Sequence, residues 1–375
     1  MLLIKNVHLY APEDLGVQDV LIVQGRIAHI EKNMKTVPYM DILDGSGKRM
    51  TPGLIDRHVH VTGGGGEGGF ATRTPQIQLS SLIQAGITTV VGLLGTDGIT
   101  RSMEDLLAKV NALKQEGISA YAMSGSYAVP STTVTGSVKK DIMFLDEILG
   151  VKLALSDHRS SHIAYEDFLK LASEVRTAGM LSNKPGCMTL HMGDEQDDLA
   201  YVMKAICNTG LPCTMFHPTH VTRNDRLFQR ALQLLHMGGT IDITCDPHTC
   251  SAVWIRQANP KDYGRITLSS DGQGSWSTYD TLGNLTAIGV SSVSVLLQDI
   301  QTMLQNHDFS ITECLSFVTA NPAQILGLYP KKGCIRAGSD ADLLLFDNEW
   351  QLQDVMAKGT WLMRNQTLLK KGTFE

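Results

Sequence analysis

Positive charge is scarce in this chain: 32 Lys and Arg face 38 Asp and Glu, for a formal net charge of −6 at pH 7. There is no basic stripe to follow a phosphate backbone, so nucleic acid is excluded as the main partner. Long apolar runs are also missing. No segment reaches the roughly 18 uncharged apolar residues of a membrane helix. The opening Met-Leu-Leu-Ile-Lys-Asn-Val-His has no basic stretch leading into an apolar signal core, so no membrane association and a cytoplasmic location are expected. Cysteine is sparse and odd in number, with seven residues and none before Cys187. That rules out a disulfide framework in a chain this long and leaves reduced core thiols as the expectation. With 43 % apolar, 19 % charged and only 6 % aromatic residues, the composition is that of a globular protein with a large buried core.

Glycine and histidine are plentiful, 35 and 12 in 375 residues, and the question is where they fall. The length accommodates one α/β barrel of roughly 250 residues plus a small satellite. The first fifty residues read as short strands: Leu2 to Leu9, Asp19 to Val23, a Gly25-Arg26 turn, then Ile27 to Ile30. From about Thr51, short apolar runs alternate with helical segments. The strands are expected to end near His60, Gly95, Ser126, Asp157, Met192, His220, Asp246 and Asp271. Units of this kind, with strands nearly continuously apolar and so buried on both faces, predict an α/β fold, a parallel (β/α)8 TIM barrel. One expected helix, Ser102 to Gln115, carries its apolar face at Met103, Leu106, Leu107, Val110 and Leu113. Sheet character returns after Gly333, in Gly338 to Phe346 and Trp361 to Leu369. Strands at both ends predict that residues 1–51 and 333–375 together build a small β-sandwich domain, with the barrel spanning 52–332.

Side chains two apart on a strand share a face, so His58 and His60, closing Leu54-Ile-Asp-Arg-His-Val-His60, both project to the barrel mouth. Paired imidazoles are half of a zinc site. Other strand ends carry matching residues. Lys152 lies in the apolar run Val151-Lys-Leu-Ala-Leu-Ser-Asp157, where a charged amine is costly without a partner. One reading is an interior ion pair; the other is a neutral amine that captures carbon dioxide as a carbamate, an anion able to bridge two metals. His191 ends the fifth strand, His217 and His220 the sixth, and Asp271 the eighth.

These residues, with Pro52-Gly-Leu-Ile-Asp-Arg-His-Val-His60, resemble the amidohydrolase superfamily. Four further stretches narrow the likeness: His58-Val-His-Val-Thr-Gly-Gly-Gly-Gly-Glu67, Val151-Lys-Leu-Ala-Leu-Ser-Asp-His-Arg159, Pro218-Thr-His-Val-Thr-Arg223 and Leu268-Ser-Ser-Asp-Gly-Gln-Gly-Ser275. Together they resemble the isoaspartyl (β-aspartyl) dipeptidase family over essentially the whole chain. The resemblance implies two divalent metal ions, most simply Zn2+. One is held by His58, His60, carboxylated Lys152 and Asp271, the other by the same carbamate with His191 and His220, and a bridging hydroxide lies between them. It favours His220 over His217, which then becomes structural. Cys245-Asp-Pro-His-Thr-Cys250 looks like a soft metal site, but it follows a strand that supplies no ligand in the family.

A β-aspartyl dipeptide carries a free α-amine and α-carboxylate, so its pocket needs both charge signs. Glu67 suits the ammonium, and Arg159 and Arg223 suit carboxylates through two-pronged hydrogen bonds. The resemblance adds the backbone at Gly65 and Gly66 and the side chains of Thr96, Tyr127 and Ser275 as substrate contacts. It casts Tyr127 as polarising the scissile carbonyl and Asp271 as carrying the proton from hydroxide to the departing amine. It also implies a homo-oligomer, commonly an octamer. The competing readings are a cyclic-amide hydrolase of dihydropyrimidinase or hydantoinase type, a diverged N-acyl amino acid hydrolase, and a metal-free scaffold descended from such an enzyme. Neutral cyclic substrates do not require Glu67, Arg159 and Arg223, and a scaffold would have lost ligands that are all in place here.

Overall fold

In the computed structural model, which describes all residues 1–375, the chain opens and closes in one sheet and places the chemistry-bearing strands between. The N-terminal strands are β1 (Leu2–Tyr10), β2 (Asp14–Val23), β3 (Arg26–Glu31), β4 (Asp41–Asp44) and β5 (Arg49–Pro52). The β2–β3 hairpin turns at Gln24 and Gly25, with φ of 49° and 77°, one residue earlier than the expected Gly25-Arg26 turn, because Val23 pairs directly with Arg26. Two consecutive left-handed residues match the twist of the flanking strands. A Cβ on Gly25 would lie 2.6 Å from the Lys358 carbonyl, so only glycine fits there.

The middle of the chain supplies β6 (Leu54–Val59), β7 (Ile87–Gly92), β8 (Ser119–Ser124), β9 (Ile148–Leu155), β10 (Cys187–Met192), β11 (Phe216–Thr219), β12 (Ile241–Thr244) and β13 (Ile266–Ser269). Strands β6 to β11 form a six-stranded parallel sheet in sequence order, and β12 and β13 form a parallel pair. Every residue of β6, β7, β9 and β10 is buried, as expected of strands covered on both faces. Side chains and single main-chain bonds span the two gaps between these sheets. Thr219 Oγ1 of β11 donates to Asp242 Oδ2 of β12 at 2.8 Å, and the His60 N–H donates to the Gly272 carbonyl at 2.8 Å.

Helices lie between the strands. That at Met103–Glu116 starts on Ser102, whose hydroxyl accepts the Asp105 N–H at 3.2 Å, and it buries Met103, Leu106, Val110 and Leu113. Gly117, at φ 126°, ends it. No helix is long and apolar enough to cross a membrane. After β13 comes an antiparallel hairpin, β14 (Ser275–Tyr279) and β15 (Leu285–Val290), beyond the strand ends.

The C-terminal strands β16 (Leu343–Phe346), β17 (Leu352–Ala357), β18 (Thr360–Arg364) and β19 (Thr367–Leu368) rejoin the N-terminal ones. The order β19-β18-β17-β16-β5-β1-β2-β3, with β4 also on β1, makes one continuous nine-stranded sheet. The expected two-layer sandwich is corrected on this point: β16 pairs with β5, so the terminal strands join through hydrogen bonds instead of facing each other as separate sheets. The run Leu343-Leu-Leu-Phe346 is apolar throughout because it serves two cores. Leu343 and Leu345 enter a 13-residue cluster inside the terminal sheet, while Leu344 and Phe346 enter the 71-residue cluster around the parallel strands.

Candidate active site

The predicted ligand residues converge at the C-terminal ends of the parallel strands. His58 Nε2 and His60 Nε2 lie 3.4 and 3.2 Å from Asp271 Oδ1, and Lys152 Nζ lies 3.1 Å from His58 Nε2. The rings of His58 and His220 are 5.2 Å apart, those of His220 and His191 4.5 Å. Two glycines allow this crowding, since a Cβ on Gly95 would stand 2.9 Å from His60 Cε1 and one on Gly64 3.4 Å from its ring. His220 and Asp271 both sit in the left-handed region, at φ 60° and 52°, where a strand is forced to turn its last side chain inward. Such backbone is uncommon outside glycine and is held here by its surroundings.

Burial pushes the His58, His191 and His220 imidazoles well below their ordinary range, which leaves them neutral and able to donate a lone pair. Burial also lowers the Lys152 amine to about 7, although Asp271 and Asp242 pull the other way. An amine of that kind is substantially neutral at physiological pH and therefore nucleophilic toward carbon dioxide. For Asp271, burial alone would raise the carboxyl, but His60, His220 and Lys152 hold it below the usual carboxylate range as an anion.

The donor set fits metal ions. His58 Nδ1, His60 Nδ1, His220 Nε2 and Asp271 Oδ1 are all buried without a hydrogen-bond partner, which is costly unless another group satisfies them. His220 is fixed from behind by the Thr244 hydroxyl, 2.7 Å from Nδ1, so its orphaned Nε2 is the one presented to the cluster. His58, His60 and Asp271 offer ligand atoms all within 4.8 Å of one another. His191 departs from the expectation. Its Nδ1 is 2.6 Å from the Tyr127 hydroxyl and its Nε2 3.0 Å from Asp157 Oδ2, so neither nitrogen is free as placed. His217 points elsewhere, held by Arg57 at 2.9 Å and by the Thr214 carbonyl at 2.9 Å.

The recognition residues gather beside this cluster. Both oxygens of Glu67 accept from the Ser275 hydroxyl, at 3.0 and 2.9 Å; Thr96 Oγ1 and Arg159 NH1 each lie 3.3 Å from Glu67 Oε1. Arg159 is not an idle guanidinium: Nε and NH2 grip Asp157 at 2.9 and 2.8 Å. Arg223 NH2 lies 3.3 Å from His191 Nε2. Burial raises the Tyr127 hydroxyl well above its ordinary range, so it remains a proton donor. Gly65 spends neither N–H nor C=O within its own loop, whereas the Gly66 N–H is already bonded to the Thr72 carbonyl at 3.3 Å, which corrects its expected role as a free backbone donor. All these groups open onto a cavity of about 1180 Å3 whose far wall is the β14–β15 hairpin and the Cys245–His248 loop.

Residues 49–362 match the Amidohydrolase family. The chain is 40 % identical to the β-aspartyl dipeptidase of Fervidobacterium islandicum AW-1, solved in complex with a β-Asp-Leu dipeptide, with 98 % of each chain covered and a TM-score of 0.93. The chain belongs to the β-aspartyl dipeptidase family of amidohydrolases. More distant amidohydrolases align as well: an L-hydantoinase of Paenarthrobacter aurescens is 22 % identical over 92 % of this chain and 85 % of its own. The dihydropyrimidinase of Brevibacillus agri NCHU1002, at 15 % identity, TM-score 0.68 and coverage of 99 % and 96 %, shares the fold alone.

Four residues of this β-aspartyl dipeptidase family member escaped the sequence reading. Asp157 ties Arg159 to His191, and its position two residues before Arg159 at a strand end was a visible signal. Burial would raise the Asp157 carboxyl, but Arg159 and His191 hold it far below the carboxylate range. Arg57 and Asp242 form a buried pair at 3.6 Å beneath the ligands, and charges inside apolar strands marked them just as they marked Lys152. Arg101, 6 % exposed, donates to the carbonyls of Thr62, Thr74 (2.7 Å) and Gly64 (3.4 Å), clamping the glycine loop that carries Glu67. Nothing in the letters around it announced that role.

Proposed function

We propose that this amidohydrolase is a metal-dependent peptidase that hydrolyses the β-aspartyl amide bond of small zwitterionic or anionic dipeptides. The observation that carries the reading is the placing of Glu67 and Arg223, an acid for the α-ammonium and a base for the α-carboxylate, beside the orphaned ligand atoms of His58, His60, His220 and Asp271. A neutral ring would have no use for that pair. The likeness to a β-aspartyl dipeptidase at 40 % identity supports it.

Two divalent ions, most simply Zn2+, held by His58, His60, His191, His220, Asp271 and a carbamate on Lys152, would supply an activated water and a Lewis acid. The protein's own groups do the rest. Glu67, braced by Ser275 and Thr96, takes the ammonium, and Arg223 takes the α-carboxylate. Tyr127, kept protonated by burial, donates to the carbonyl oxygen as negative charge develops there. To do so it releases His191 Nδ1, which the same hydroxyl holds at 2.6 Å; this trade frees the nitrogen that metal binding needs. Asp271, held as a carboxylate, accepts the water proton and delivers it to the departing amine.

The same proposal includes closure of the parallel strands into a full (β/α)8 barrel spanning 52–332, with 1–51 and 333–375 as the small domain. It extends to a homo-oligomer, an octamer by family resemblance, in a cytoplasmic setting that keeps the seven free thiols reduced. The deciding experiment offers metal-loaded protein β-Asp-Leu, α-Asp-Leu, dihydrouracil and N-acetyl-aspartate. Efficient turnover of the first alone is expected; faster hydrolysis of dihydrouracil would replace this reading with that of a cyclic-amide hydrolase.

A further inference from the structure

Only one of the two arginines at the cavity has charge to spare. Arg159 is bidentate with Asp157, at 2.9 and 2.8 Å, and lies 3.3 Å from Glu67, so two carboxylates already compensate it. Arg223 has no carboxylate partner; its side-chain contact is His191 Nε2 at 3.3 Å. A β-aspartyl dipeptide brings two carboxylates, that of the aspartyl α-carbon and that of the leaving residue. One free guanidinium answers to one of them, and its place beside the metal ligands and Glu67 assigns it to the aspartyl end.

The leaving residue therefore enters a region without a counter-ion. Past His220 and Asp271 the cavity runs outward along Thr222, Thr244, the Cys245–His248 loop and the β14 strand, and its total of about 1180 Å3 exceeds the roughly 300–1,000 Å3 usual for a small-molecule pocket. This stretch has neither Lys nor Arg, and its carboxylates are Asp194, Asp246 and Asp280. A terminal carboxylate held there meets like charge. A continuing peptide puts a neutral amide in the same place and carries its carboxylate onward to solvent.

Resting on the β-aspartyl reading of the site, we infer that the protein removes an N-terminal isoaspartyl residue from longer peptides as well as from dipeptides. The step is hydrolysis. The water oxygen bonds to the β-carbonyl carbon, the bond from that carbon to nitrogen breaks, and the proton passes to the departing α-amine. Free aspartate and a peptide shorter by one residue leave, and no other reactant is consumed.

The test compares β-Asp-Leu, β-Asp-Leu-amide, β-Asp-Leu-Ala and β-Asp-Leu-Ala-Ala on the metal-loaded protein, with released aspartate and shortened peptide followed by mass spectrometry. The expected result is kcat/KM for each of the last three within about tenfold of that for β-Asp-Leu. A larger loss for the amide shows that the terminal carboxylate is recognised, and a larger loss for either longer peptide shows that the cavity ends there; each overturns the inference while leaving the dipeptidase reading intact. Failure on β-Asp-Leu itself removes both.

Discussion

Replacing Arg101 by Met tests whether the glycine loop is a pre-built arch or a floppy strap. Met keeps most of the apolar stem and removes the guanidinium. In the native protein that group bonds the carbonyls of Thr62, Gly64 and Thr74 from a buried position, pinning the beginning of the loop to its end. Gly64 retains a second donor, the Thr74 N–H at 2.9 Å, but the carbonyls of Thr62 and Thr74 would be left without one. At about 1–3 kcal/mol for each unpaired buried acceptor, the closed arch loses about 2–4 kcal/mol relative to an open one that reaches water. A difference of about 3 kcal/mol is two orders of magnitude in population. The metal ligands lie outside the arch and keep their own contacts. The loss should therefore appear in binding through Glu67: KM for β-Asp-Leu rising about ten- to hundredfold, with kcat falling less than about tenfold. Limited proteolysis should find a new cleavage site between 62 and 74. An unchanged KM together with an uncut loop would refute the clamp.

Three further outcomes follow from the site. Asp271→Asn should leave the fold intact by circular dichroism while abolishing turnover, because the buried anion that carries the proton is gone; an enzyme of undiminished kcat would remove Asp271 from that role. Arg223→Met should weaken β-linked substrates by about tenfold to a thousandfold through loss of one charge-assisted carboxylate contact, read as kcat/KM, and an unaltered profile would count against its assignment. The third outcome concerns pH. The folded Lys152 amine titrates near 7 and the unfolded one near its ordinary value of 10.5, so between those values the unfolded chain holds the extra proton and stability rises with pH. Asp56, raised to about 7 by burial against hydrogen bonds from Ser270 and His58, contributes with the opposite sign, but only below that pH. Chelator-treated protein should accordingly gain on the order of 4–5 kcal/mol from Lys152 between pH 7 and 10. Thermal melts of the wild type and Lys152→Met across that range check this, since the variant should lack the slope.

Much of the architecture follows from local patterns that the sequence carries openly. The apolar runs of β6, β9 and β10 announced strands covered on both faces, and Ser102 with Gly117 bracketed a helix found within one residue of its expected limits. Where local pattern was silent, the reading failed. One sheet in place of a sandwich depends on β16 pairing with β5, a contact across nearly 300 residues that no period in either strand encodes. The turn at Gln24-Gly25 was displaced by one residue because register depends on the partner strand as much as on the turn residues.

The sequence alone determined the chemical vocabulary of the site: two histidines on one strand face, a lysine no apolar run should hold, and an acid presented on glycines. Those choices are local, set by side-chain alternation and by the cost of burying charge. The tertiary structure decided which groups are still available. His217 and His220 are three residues apart, yet one is spent on Arg57 and the other leaves Nε2 bare. Arg159 and Arg223 read alike as letters, yet Asp157 and Glu67 compensate the first and leave the second free. The physical reason is that a side chain's capacity to bind is what remains after its neighbours have satisfied it, and those neighbours come from strands that only folding brings together.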